Sequence, residues 1–145
     1  MSLEPFLTNL SFAQSKAKFT PEVQTASEPV NADLLKAIVE AVLAGGDDAS
    51  AEGEQGKALK AGFEFAAALV KMLEREPSTD EKLTLYAYFK QGHGQKVEKP
   101  GMFALEAKYK YNAWEKISHI SAARAQALYI QEVSKLIEQI GTRDA

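Results

Sequence analysis

The segment from Ser121 to Gly141 constrains the fold most strongly. Tyr129, Val133, Leu136 and Ile140 recur at i, i+4, i+7 and i+11, a spacing that places them on one face of an α-helix. Ser121 stands where a side chain caps a first turn, and Gly141 where a helix stops. A helix of this kind gains most of its stability by burying its apolar face against other elements. The chain must therefore supply partners for it. Its 145 residues, 46% of them hydrophobic, suffice for one domain with a buried core.

The partners read as further helices. One is expected from about Lys57 to Arg75 and ends before Pro77, because Glu76 is pushed away from helical geometry by the proline that follows. Ser78, with Glu81 three residues on, forms a capping box for a second helix running to about Gln91. Gly92 and Gly94 break it. A third, shorter helix carries Tyr111, Trp114 and Ile117 and starts near Leu105 without a clear cap. Upstream, Asn31 is placed to cap a helix at about 32–44, in which Leu34, Leu35, Ile38, Val39, Val42 and Leu43 make one broad apolar face. Gly45-Gly46 stops it, and "GGDDASAEGEQG" reads as a flexible acidic linker. Residues 1–30 are interrupted by Pro5, Pro21 and Pro29, with a short helix around Pro5 to Ala17 carrying Phe6, Leu10 and Ala13. No strand-like alternation competes, and no internal repeat is present. The expected class is all-α, with an N-terminal extension over 1–56 and a helical domain over 57–145.

Several chemistries find no support in the residues. With no cysteine, disulfides and cysteine-ligated zinc are excluded. His93 and His119 lie in different segments, so no histidine metal site is expected. "GHGQK" lacks the spacing and the Ser/Thr of a phosphate-binding P-loop. No Ser-His-acid set or catalytic carboxylate pair is legible, and an enzyme is not expected. The net charge is -3. Residues 1–60 carry five Lys/Arg against nine Asp/Glu, and residues 61–145 carry twelve against eleven. That balance argues against nucleic-acid binding and leaves room for a local anion site in the second half. No apolar run reaches the ~18 residues of a membrane helix, and Met1 to Leu10 shows no secretory pattern. The expected location is the cytoplasm.

On spacing alone, Tyr86 and Phe89 are core residues and Lys90 and Lys110 are solvated charges. Their joint pattern reads differently. "LYAYFKQ", then "KPGM", then Lys110 followed closely by Trp114, resembles the acyl-CoA-binding protein family over about Phe63 to Gly141. The resemblance implies an antiparallel four-helix bundle that binds long-chain acyl-CoA and carries it without reacting, with no cofactor. It implies that adenine and phosphate ligands fall on Tyr86, Lys90 and Lys110, with Lys71 and Tyr129 as further contacts. Ala67, Leu83 and Phe89 fall where the family lines its site. Transient contact with acyl-CoA-using enzymes or membranes would follow from such a role.

Phe89 stands where a tyrosine is common, Glu106 where a lysine often assists the ligand, and Tyr111 where a tryptophan is common. The loop from Gln91 to Pro100 looks about two residues shorter than the family's usual form. Two rival readings are a helical protein-interaction module that has lost or weakened ligand binding, and a fragment of a larger enzyme. The helix over 57–75 also carries two apolar stripes. Phe63, Ala66, Val70 and Leu73 are expected to face the bundle. Phe65, Leu69 and Met72 lie on another side, and the helix at about 32–44 is expected to pack across them, with a homodimer as the alternative.

Overall fold

The computed structural model describes residues 2–145. Among the described residues there are seven α-helices and no strand: α1 (Glu4–Gln14), α2 (Pro21–Ser27), α3 (Ala32–Ala44), α4 (Gly53–Leu69), α5 (Thr79–Gly92), α6 (Leu105–Ile117) and α7 (Ala122–Ile140). Helices α4 to α7 form the bundle, and α1 to α3 pack on its outer side against α4 and α7.

Local chemistry explains most boundaries. The Ser78 hydroxyl accepts from the Glu81 N–H at 3.1 Å while the Ser78 N–H donates to the Glu81 carboxylate at 2.8 Å, closing the capping box. That donor holds the Glu81 carboxyl below its ordinary range. Asn31 and Ser121 cap α3 and α7 through Leu34 and Arg124. Gly141 ends α7 at φ 86°, a conformation that suits glycine. Helix α6 starts at Leu105 with no side-chain cap.

The extension and the bundle share one apolar core. Phe6 of α1 meets Phe65 of α4 edge to face, with ring centroids 5.6 Å apart, and both side chains are fully buried. Leu35 of α3 sits on Gly62 of α4, where a Cβ would lie 2.5 Å from its methyl carbons. Leu69 and Met72 are buried in the same cluster. On this side of α4 the extension thus contributes Phe6 of α1 against Phe65 and Leu35 of α3 against Gly62. The start of α1 is tied to α7, because buried Ser134 accepts from the Phe6 N–H and donates to the Ser2 carbonyl.

Three local features differ from the expectations. The helix predicted to reach Arg75 ends at Leu69 and continues as one 3₁₀ turn, Val70–Met72. Its last groups pair with the C-terminal tail: the Glu74 N–H donates to the Gly141 carbonyl and the Arg143 N–H to that of Met72. Leu73 turns extended and bridges to Thr142. Residues 21–27 form α2, with Thr20 capping through Val23 and Pro21 in the first turn. The segment read as a linker is partly helical, since α4 begins at Gly53, and the remainder is held down. The Ser121 N–H donates to the Asp47 carbonyl, the Ser121 hydroxyl to that of Ala49, and Arg124 to those of Val42 and Leu43.

Candidate functional site

Helix α5 divides two clefts. The first, about 570 Å³, is lined by Ala67, Ala68 and Lys71 near the end of α4, by Lys82, Leu85, Tyr86 and Phe89 of α5, and by Tyr129 of α7. The second, about 520 Å³, lies between α5 and α6 and combines Leu83, Ala87, Tyr88, Tyr109, Ala113 and Ile117 with the polar Asp80, Thr84, Asn112 and Lys116. Both fall within the roughly 300–1,000 Å³ common for small-molecule sites.

An aromatic cluster supports the first cleft. Fully buried Phe63 holds Phe89 at 5.7 Å and Tyr129 at 5.2 Å between centroids, and His93 packs 4.5 Å from Phe89. Burial pushes the Tyr129 hydroxyl well above its ordinary pKa, so it stays a neutral donor. Gly92 at the end of α5 permits this packing, because a Cβ there would lie 2.7 Å from the Phe63 ring. Gln91 links α5 to α6. It accepts from the Trp114 indole at 2.9 Å and donates to the carbonyls of Ser118 and Ile120.

Leu83, Tyr86 and Lys90 follow i, i+3, i+7 along α5 and form the ridge between the clefts. The ammonium groups of Lys90 and Lys110 lie 5.8 and 5.3 Å from the Tyr86 ring centroid. Lys110 also pairs with Glu106 at 3.3 Å. Lys90 forms no ion pair among the described residues. Two cations near one ring, only one of them paired with a carboxylate, leave an excess of positive charge for an anion.

The structure therefore brings Ala67, Lys71, Tyr86, Phe89 and Tyr129 into one cleft, with Lys90 and Lys110 at its Tyr86 side. Leu83 is placed in the other cleft. Lys82 and Leu85 escaped sequence reasoning, although their helical register with Phe89 was a usable signal. Glu22 and Ala26 of α2 also line the first cleft, and nothing in the sequence pointed to them.

The fold and the clefts define a helical small-molecule-binding bundle with an aromatic and cationic site. A sequence model described as "Acyl CoA binding protein" matches residues 60–133. The chain is 44% identical over 81 residues to acyl-CoA-binding protein homolog 1 of Caenorhabditis elegans, covering 54% of this chain and 94% of that protein. It is 45% identical over 78 residues to the acyl-CoA-binding protein of Saccharomyces cerevisiae, covering 52% and 88%. The crystal structure of Oryza sativa acyl-CoA-binding protein 2 superposes with a TM-score of 0.52 at 36% identity, covering 56% of this chain and 92% of that one. The chain belongs to the acyl-CoA-binding protein family. Helices α1 to α3 precede the matched segment.

Proposed function

We propose that this protein binds long-chain fatty acyl-CoA esters reversibly and carries them within the cytoplasm, without catalysing a reaction on them. The binding unit is residues 57–145, and residues 1–56 are an extension fixed to it. The observation that carries this reading is Tyr86 with Lys90 and Lys110 near its ring, placed between an aromatic cleft and a second cleft of mixed lining between α5 and α6. The adenine has aromatic surface on the half-buried Phe89 ring, which buried Tyr129 supports from behind, and stacking of a base on such a ring contributes ~1–3 kcal/mol. The 3′-phosphate meets Lys90, Lys110 and the Tyr86 hydroxyl, with lysines acting as mobile point charges. The acyl chain crosses the ridge at Leu83 into the cleft between α5 and α6. Leu105, one turn before Tyr109, extends that strip toward Met102 and Phe103, which are exposed. Exposed apolar groups of this kind mark contact surfaces. Here they meet the chain end, and then the enzymes or membranes that receive the ligand.

The test is Lys90→Ala, followed by titration calorimetry with palmitoyl-CoA and its 3′-dephospho analogue. A charge-assisted hydrogen bond contributes ~1.5–3 kcal/mol, so palmitoyl-CoA should bind about tenfold more weakly, or worse. The dephospho ligand should lose much less. Equal losses for the two would remove the lysine from that phosphate, and no binding by the unaltered protein would end the proposal.

Phe89 contributes ring surface and no hydroxyl. Phe89→Tyr should change palmitoyl-CoA affinity modestly, since one added hydrogen bond is worth ~0.5–1.5 kcal/mol at most. Loss of binding on that change would show that the ring position has no room for the ligand beside it.

A further inference from the structure

Helix α2 lies outside the segment that matches the family, yet it contributes to the aromatic cleft. Glu22 and Ala26, at i and i+4, present one face of α2 to it. The Glu22 carboxylate stands 3.9 Å from the Lys71 ammonium, and the two side chains are 77% and 72% exposed. Glu64 of α4 adds a second carboxylate to the same cleft. Taking Lys71 as a contact for the ligand's head, a phosphate that approaches it comes to lie beside the Glu22 carboxylate.

The geometry points to Glu22 as a residue of the extension that sets head-group affinity: its carboxylate competes with the anionic coenzyme A head for Lys71. This rests on the acyl-CoA reading above. The consequence is a head-group site held below its full affinity. Coenzyme A alone then binds poorly, and retention depends on the acyl chain.

The test uses the full chain, with palmitoyl-CoA and coenzyme A as calorimetric probes at low ionic strength. The side chain of Glu22 is exposed, so Glu22→Gln leaves the fold intact, and thermal melting checks this. Both ligands should bind Glu22→Gln about two- to five-fold more tightly, the range set by an exposed ion pair. Glu22→Lys should extend the gain. The difference should shrink at ~0.5 M salt, where exposed charges are screened. In a Lys71→Met background, Glu22→Gln should gain less. If the unaltered protein binds palmitoyl-CoA and Glu22→Gln binds it no more tightly, the role of Glu22 is overturned while the acyl-CoA reading stands. If the unaltered protein binds no acyl-CoA, that reading fails and the role of Glu22 goes with it.

Discussion

Phe65→Ala should lower the stability of this protein by about 3–5 kcal/mol, the usual cost of emptying a buried aromatic site. Phe65 lies on the side of α4 away from Phe63, yet it is fully buried. The ring above it is Phe6 of α1, packed edge to face, an arrangement that adds ~0.5–1.5 kcal/mol to area burial. The extension is therefore expected to unfold together with the bundle in a single transition. Urea denaturation followed by circular dichroism measures the effect. Phe103→Ala is the matched control: that ring is 92% exposed, and surface changes usually stay within ~0.5 kcal/mol. A loss below about 1 kcal/mol at Phe65, far under the cost of a buried ring, would show that α1 does not hold that face in solution. The folded fraction of Phe65→Ala should still bind palmitoyl-CoA, because Phe65 lines neither cleft.

The apolar stripe on α4 was legible in the sequence, because Phe65, Leu69 and Met72 repeat at helical spacing. Its covering elements were legible only in part. Helix α3 announced itself through Asn31 and a thirteen-residue amphipathic run. Helix α2 is seven residues long, too short for periodicity to register, although Thr20 before Pro21 was a capping signal. The true end of α4 was hidden for another reason. Backbone groups at Met72 and Glu74 are satisfied by Gly141 and Arg143 from the far end of the chain, and no local pattern reports such a pairing. The contacts of the linker were hidden likewise: its glycines and acids suit a flexible segment, and no local pattern reports that Ser121 at the start of α7 donates to its carbonyls.

The candidate site divides along the same line. Tyr86, Lys90 and Phe89 are neighbours through one helix register, so their proximity was legible from spacing alone. Lys71 and Tyr129 join them only through the packing of α4 on α7 and of α7 on α5, which the family resemblance supplied and helical periodicity did not. Leu83 shows what a residue-by-residue carry-over omits. It belongs to the same ridge as Tyr86 but opens onto the opposite cleft, so the candidate residues fall on two surfaces joined at α5 rather than in one pocket. Glu22 lies beyond the resemblance altogether.

Two surfaces joined at a ridge should bind the joined ligand far better than either half. Palmitoyl-CoA is expected to bind at least about 100-fold more tightly than coenzyme A or palmitate, a gap of ~2.7 kcal/mol. The argument starts from the chain. Its fourteen or so methylenes are worth roughly 0.8 kcal/mol each when fully buried, or ~11 kcal/mol gross. Ordering a flexible chain and leaving one side of it near water consume much of this, so about a quarter of the gross value is enough to meet the expected gap. On the proposed reading the head adds the Phe89 ring and the Lys90 and Lys110 charges, none of which free palmitate would engage in the same way. Joining the parts also spares the second half its own loss of translational freedom, so the whole ligand gains more than the sum of its contacts. Calorimetric titration of the full chain with the three ligands, at one salt concentration, gives the comparison directly. Palmitate binding as tightly as palmitoyl-CoA would sink the two-surface account, since the cations and rings around Tyr86 would then contribute nothing. Coenzyme A binding as tightly as palmitoyl-CoA would remove the acyl chain from the cleft between α5 and α6.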